Sequence, residues 1–420
     1  MSATLIRHLS QLVTPRGTSL RKGKAMSELL ELEDAAVYME EGTIRLVGTT
    51  AQVEAALPPL TDCQVVEGRG MCALPGFVDS HTHFLFGGHR PEEFAARLGG
   101  AEYLDLLRMG GGIQATVSAT RAAGGRALAR SGKERLDAML AQGVTTVEGK
   151  SGYGLDLDTE LLQLRVMREL DRSQAVEIVS TYLGAHAVPT EFAGRGDDYI
   201  DFMLQTVLPQ IRAEHLARFC DVFCEADVFS VAQARRLLAG ARDMGFGLKL
   251  HADEIVSLGG AGLGAELGAV SADHLLAISD QDAAALAQSA TAATLLPCTA
   301  FCLGKPYAPA RELIDRGCGV ALATDYNPGS CFCDNIALLF SLAAIQMKMT
   351  LPEALTALTL NGAAAVGRAD KIGSIEPGKQ ADLVLLHWPS YLYLVYHTAM
   401  NGVGAVYKKG ALVCSGGTVR

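Results

Sequence analysis

From residue 75 to about 366 the chain alternates between two spacings of its apolar residues. Short, strand-sized runs are "FVDSHTH", "TTVEGK", "STYLGAH", "DVFCE", "LKLH", "SADH", "TLLP" and "ALATD". Between them lie longer stretches in which apolar positions return every three or four residues. In "DTELLQLRVMRELD", Leu161, Leu164, Met167 and Leu170 share one helical face. "SVAQARRLLAGARDMG" opens on Ser230, an N-cap residue, and stops at Gly245; "ISDQDAAALAQ" carries a third such pattern. Eight strands, each followed by a helix, predict an α/β chain folded as a (β/α)8 TIM-like barrel over residues 75–366. The alternative is a doubly wound open sheet, but no GxGxxG opens a helix where that fold would need one.

The flanks follow a different rhythm. Residues 1–74 contain "GTIRLVG", and residues 367–420 contain "ADLVLL" and "GAVYKKGALV", short β-rich runs broken by glycine with hardly any helical period. Neither flank makes a domain alone. They are expected to join as one small composite β-sandwich domain beside the barrel.

Barrels of this type carry their chemistry where the strands end. The first run ends in His81 and His83, spaced i, i+2 and so facing one side of a strand. The second leads to Lys150, the third to His186 and the fourth to Glu225. The fifth ends in His251 with Glu254 just beyond, the sixth in His274 and the eighth in Asp325. Five of the ten histidines thus stand at strand ends. A lone His-x-His pair is common in ordinary strands; this concentration points to a metal.

His81, His83, His251 and Asp325 can converge as three imidazoles and one carboxylate, a donor set that suits one divalent ion, zinc or iron. Such an ion makes hydroxide available from water near neutral pH. Glu254, three residues past His251, is placed to carry the proton. His274 is a second basic group able to orient the water, and Asp325 counts as catalytic as well as ligating. Singly, these would read as a solvated loop glutamate and a hydrogen-bonded core histidine; together they do not. Two-metal hydrolases of this architecture often carry a bridging modified lysine on strand four. Here strand four ends in Glu225 and Lys150 follows strand two, so one metal is expected. Glu225 is left between a supporting and a direct role.

Composition changes the picture little. At 49% hydrophobic and 20% charged, with 420 residues, the chain is long enough for a large core and two domains. Its net charge of −10 argues against nucleic acid as a partner. It does not argue against a small anionic substrate, because salt screens exposed charges beyond about 8 Å. The opening residues lack the apolar run of a signal peptide, and "IALLFSLAAIQMKM" is too short to span a membrane and reads as a buried helix. A cytoplasmic enzyme with a small-molecule substrate is expected, with a homodimer as the conceivable assembly. Ten cysteines without CxxC spacing are expected to be reduced and mostly buried.

The motifs "PGFVDSHTH", "HADE", "SADH", "ATDYNPGS" and "GSIEPGKQADLVLL" resemble the amidohydrolase superfamily over nearly the whole chain. "GGHRPEEF", "GGGIQATVSATR", "VEGKSGYGLDL", "YLGAHAVP" and "DVFCE" narrow the resemblance to the imidazolonepropionases of histidine degradation. That resemblance implies hydrolysis of the cyclic amide of 4-imidazolone-5-propanoate to N-formimidoyl-L-glutamate. It further implies that Arg90, Tyr153 and His186 contact the substrate, with Asn327, Gly329 and Ser330 completing the pocket. A guanidinium at Arg90 offers two parallel donors to the propanoate carboxylate. Tyr103, in "GAEYLDLL", is a candidate for the same carboxylate or for plain helix packing. Gly149 stands where relatives are expected to carry a larger residue. The rival reading is a deaminase acting on a related heterocycle such as cytosine or guanine. A non-catalytic module of the same fold would be expected to have lost ligands, and this chain keeps a full set.

Overall fold

The computed structural model describes residues 3–57, 63–100 and 111–420. All eight runs form strands: β1 (Phe77–Thr82), β2 (Val144–Lys150), β3 (Glu177–Ala185), β4 (Phe219–Cys224), β5 (Gly247–Ala252), β6 (Ser271–His274), β7 (Ala292–Leu295) and β8 (Val320–Leu322). Each pairs in parallel with the next in chain order. The sheet closes at the functional end. Thr82 bridges Tyr326; the Asp325 N–H donates to the His81 carbonyl at 3.0 Å, and the His83 N–H to the Tyr326 carbonyl at 2.9 Å. Asp79 reinforces the seam by accepting from the Thr324 hydroxyl at 2.6 Å and the Thr324 N–H at 3.0 Å. The seam of the barrel therefore fixes His81, His83 and Asp325 against one another.

The helices obey their sequence signals. The helix Leu157–Ser173 buries Leu161, Leu164, Met167 and Leu170, each worth about 1.5–3 kcal/mol in removed apolar surface. Ser230 and Gln233 form a reciprocal capping box on the helix Val231–Asp243. The apolar stretch after β8 is a buried helix, Ile336–Ile345. Gly149 also finds its reason: a Cβ there would lie 2.7 Å from Phe84 and 3.1 Å from Met167. Those side chains occupy the space a larger residue would need.

Two antiparallel-rich sheets lie outside the barrel. One has four strands, in the order Thr43–Thr49, Ala35–Glu40, Ala3–Leu9, Cys63–Glu67. The other has seven and mixes both flanks, its join being Cys72–Pro75 antiparallel to Leu383–Leu386, with Leu74 opposite Val384. Ile6, Leu12, Val37, Ala73, Leu383 and Tyr407 pack into one apolar core between these sheets. Alternation of apolar residues in short runs from both ends made this sandwich possible.

Candidate metal centre and substrate cavity

Three imidazoles and a carboxylate meet at the carboxyl end of the barrel. Nε2 of His83 lies 3.4 Å from Nε2 of His251, and Oδ1 of Asp325 lies 3.6 Å from Nε2 of both His81 and His83. His81, His83 and Asp325 form one cluster of ligand atoms lying within 4.8 Å of one another; His81, His251 and His274 form a second. Nε2 of His81 is buried without a hydrogen-bond partner among the described residues. A buried polar nitrogen left unpaired is costly, unless it is a ligand atom.

The other ring nitrogens explain the aim. Nδ1 of His81 lies 2.7 Å from Asp273 Oδ2, and Nδ1 of His251 lies 3.2 Å from Asp221 Oδ1. A carboxylate only accepts, so it places the hydrogen on Nδ1 and leaves the Nε2 lone pair facing the cluster. Burial, and then the nearby Lys150 ammonium, hold the His81 ring well below the usual imidazole range; burial and His186 do the same for His83. Both rings are therefore neutral. Burial would lower His251 too, but the Asp221 carboxylate outweighs it and raises the ring.

Below the imidazoles lies a fully buried ionic layer. Lys150 Nζ contacts Asp221 at 2.6 Å and Glu148 at 3.0 Å, and Lys249 Nζ contacts Glu148 at 2.7 Å and the Ser80 carbonyl at 3.0 Å. Burial opposes the Lys150 charge, yet Asp221, Glu148 and Asp273 hold the ammonium well above the usual lysine range. Lys150 is therefore a charged strut between carboxylates.

A cavity of about 450 Å³ opens over this centre. His83, His251, His274, Asp325 and Glu254 form its floor; Arg90, Tyr153, His186, Asn327, Gly329 and Ser330 form its walls. Tyr103 lies outside the described residues. Glu254 is 18% exposed, with Oε1 3.6 Å from His274 Nδ1. Burial pushes the Glu254 carboxyl up to about 7 and His274 down to about 3. A carboxyl poised near 7 can both take and give a proton at neutral pH. Asp325 accepts from the Thr299 hydroxyl at 2.6 Å and, like His274, holds a positive φ (53° and 79°), a strained backbone for a non-glycine residue.

Each wall residue has a local support. Glu160 is buried in the helix after β2 and accepts from the N–H groups of Gly152, Gly154 and Leu155 at 3.1, 2.8 and 2.9 Å. The "SGYGL" turn wraps around that carboxylate and delivers Tyr153. Gly152 has φ +101°, and a Cβ there would lie 2.6 Å from the Leu183 carbonyl. His186 stacks on His83, with ring centroids 4.9 Å apart and planes 19° from parallel. Asn327 uses its amide on its own loop: Nδ2 donates to the Asp325 carbonyl at 2.7 Å, and Oδ1 accepts from the Gly329 and Ser330 N–H groups at 2.8 Å each. It shapes the wall more than it offers free donors. Gly329 has to be small, since a Cβ there would run into the Arg90 guanidinium.

Several residues were not singled out from sequence. Arg90 Nη1 contacts Glu93 at 3.2 Å, and Arg97, also in the cavity wall, donates to the Gly329 carbonyl at 3.2 Å. Asp221, Asp273, Glu148 and Lys249 were missed too. Their signal was present: Glu148 and Lys150, and Lys249 and His251, repeat the i, i+2 spacing that exposed His81 and His83. Glu225 resolves towards support. Its oxygens accept from the Ile255 N–H at 2.8 Å, the Val256 N–H at 3.3 Å and its own neighbour Ala226 at 2.8 Å.

The amidohydrolase family is matched over residues 228–413. A protein named imidazolonepropionase from Parabacteroides distasonis is 57% identical over 411 residues, 98% of this chain and 99% of its own length. One of the same name from Clostridium tetani is 51% identical, covering 97% of each chain. Among solved structures, a zinc-bound adenosine deaminase from Xanthomonas campestris has a TM-score of 0.71 at 21% identity, covering 99% of this chain and 94% of its own. A zinc-complexed atrazine chlorohydrolase from Arthrobacter aurescens scores 0.66 at 19%, covering 99% and 96%. These two similarities speak to the fold.

Proposed function

We propose a reaction for this cavity on one premise: the chain belongs to the amidohydrolase family and, within it, to the imidazolonepropionases. The enzyme hydrolyses the cyclic amide C–N bond of 4-imidazolone-5-propanoate to N-formimidoyl-L-glutamate, a step of histidine degradation. His81, His83, His251 and Asp325 would hold one divalent ion, zinc or iron. When bound, that ion supplies Lewis acidity that acidifies water and stabilises negative charge on oxygen. Charge balance supports a single divalent ion: the two buried ammonium groups, Lys150 and Lys249, contact three carboxylates, Glu148, Asp221 and Asp273, and a fourth carboxylate, Asp325, lies against His81 and His83.

The remaining roles fall to side chains. Glu254 takes a proton from the attacking water and delivers it to the departing ring nitrogen. His274, within reach of Glu254, orients the water. Arg90 binds the propanoate carboxylate, leaving Glu93 to do so. Tyr153 and His186 hold the ring, and Asn327, Gly329 and Ser330 set the shape of the far wall. We assign residues 75–366 to the barrel domain and residues 1–74 with 367–420 to one composite domain, supported by the pairing of Cys72–Pro75 with Leu383–Leu386. Among the described residues no helix is long and apolar enough to cross a membrane. Ten unbridged cysteines support a cytoplasmic setting, with a homodimer as the assembly to test.

The observation that carries the substrate is Arg90 in the same cavity as Glu254 and the ligand set. A neutral nucleobase offers no carboxylate for a guanidinium to pair with as an ion. Losing a charge-assisted pair costs about 1.5–3 kcal/mol, so Arg90→Met is expected to lower kcat/KM roughly 10- to 200-fold with metal content intact. An analogue whose carboxylate is an uncharged amide should be poor for the parent and nearly indifferent to the substitution. Equal discrimination by parent and variant, or release of free ammonia at the first step, would overturn the reading in favour of a deaminase.

A further inference from the structure

Arg90, Glu93 and Arg97 stand at i, i+3 and i+7, along one face of the helix Pro91–Leu98 and its N-cap. All three side chains line the cavity over the ligand set. The two guanidiniums meet at one residue of the loop after β8. Arg97 Nη2 donates to the Gly329 carbonyl at 3.2 Å. Arg90 lies against the same residue, so close that a Cβ on Gly329 would run into its guanidinium. Glu93 sits between them in sequence and accepts from Arg90 Nη1 at 3.2 Å. The same carboxylate accepts from the Gly112 N–H at 2.7 Å, and Gly112 is the N-cap of the helix Ile113–Ala141.

This corner of the cavity carries more positive than negative charge. Glu93 is shared between Arg90 and the positive end of a helix, so it balances neither guanidinium fully. Burial pulls Arg97 below the usual guanidinium range; Glu93 supports its charge, and Arg90 opposes it. Nε of Arg90 and Nε of Arg97 are both buried without a hydrogen-bond partner among the described residues. A buried donor left unmade is costly, and more so on a charged group. Were Arg97 only a prop for Gly329, one Nη donor would be enough, and no second guanidinium need be buried beside the first.

We propose that Arg97 is a second guanidinium for the substrate carboxylate, closing on the propanoate group together with Arg90 from the carbonyl and Cα sides of Gly329. The inference rests on the substrate assigned above. A carboxylate has two oxygens and about four lone-pair positions, so it can accept from both guanidiniums at once. Glu93, released by Arg90, keeps the Gly112 N–H. The anion then supplies the negative charge that the corner lacks, and an uncharged analogue does not.

The test measures kcat/KM of the metal-loaded parent, Arg97→Met, Arg90→Met and the double variant, on the propanoate substrate and on its uncharged amide analogue. Arg97→Met is expected to lose roughly 10- to 200-fold on the acid, the range of one charge-assisted pair, and to change little on the amide. Most of the loss should appear in KM, because the carboxylate is remote from the bond that breaks. Arg90→Met should keep a residual preference for the acid, and the double variant should lose it. Arg97→Gln can still offer an N–H to the Gly329 carbonyl but carries no charge. It should behave as Arg97→Met does, and it carries the test if the methionine variant does not fold. Parent-like discrimination by Arg97→Gln, or equal losses on acid and amide, makes Arg97 a prop for Gly329 and overturns the inference. A double variant no worse than Arg90→Met overturns it too, since Arg97 would then act only through Arg90. If Arg90→Met itself separates acid from amide as the parent does, the substrate reading fails and takes this inference with it. A failure confined to Arg97 leaves that reading standing.

Discussion

Both ends of the barrel bury charge, and they treat it in opposite ways. At the amino end, Lys408 is 6% exposed and uses all three of its donors, on Asp382 at 2.8 Å and on Glu177 and Thr146 at 3.3 Å each. Asp382 further accepts from the Lys409 N–H at 3.0 Å. At the carboxyl end, equally buried side chains leave Nε2 of His81 and both ring nitrogens of His274 without hydrogen-bond partners among the described residues, beside Asp325 in a strained backbone. Buried polarity alone therefore does not mark function. Buried polarity that is aimed, supported from behind and left unsatisfied in front does.

The sharpest way to break this contrast is to remove the aimed atoms. A His81→Ala, His83→Ala double variant is expected to lose its metal and fall to background turnover while remaining folded. Elemental analysis and circular dichroism read the two halves of that statement. Full metal retention would remove the ligand set, and two metals per chain in the parent would remove the single-ion reading.

Next in size is the proton carrier. Glu254→Gln keeps the shape and charge-free volume of the side chain but cannot shuttle a proton. A loss of about 10²–10⁴-fold in kcat is expected, with metal content unchanged. A kcat within a few-fold of the parent would reassign Glu254 to the wall.

The amino end supplies the converse. Lys408→Met leaves Asp382 and Glu177 without their shared ammonium, and breaking a buried pair in this way costs about 3–5 kcal/mol. The unfolding midpoint should fall markedly while kcat per folded molecule stays at the parent value. A matching fall in kcat would mean that the two ends are not separable, and the contrast would fail.

How far the sequence reached follows the same division. His81, His83, His251 and Asp325 were legible because strand periodicity places side chains without any knowledge of partners. The eight strands were legible for the same reason. Asp221 and Lys150, 71 positions apart, were harder: nothing local says that a strand-interior charge has found its counter-ion. Glu93 and Arg97 lie in "RPEEFAARL", which reads as a solvated helix until the barrel mouth is drawn around it. Asn327 was placed in the pocket only by the family resemblance, and only the geometry shows its amide turned onto Gly329 and Ser330. Local pattern carries direction; closure of the chain on itself carries partners.

The smallest expected effect tests whether support from behind matters by degrees. Glu225 does not line the cavity, but its carboxylate holds the Ile255 and Val256 N–H groups, immediately after Glu254. On the other side Asp253 accepts from the Leu258 N–H at 2.8 Å and the Ala261 N–H at 3.0 Å. Glu254 is thus suspended between two clamped residues. Glu225→Gln keeps one acceptor oxygen and loses the charge, weakening the clamp by about 1 kcal/mol, the net value of a typical hydrogen bond. Turnover should fall several-fold at unchanged KM and metal content, because substrate and ion are held by other residues. Glu225→Ala removes both acceptors and should cost more in kcat, still without moving KM. If KM rises with either change, Glu225 shapes the cavity wall and not the reach of Glu254. If neither kcat nor KM moves, the clamp at Asp253 is sufficient alone, and aim at this site tolerates the loss of one of its two supports.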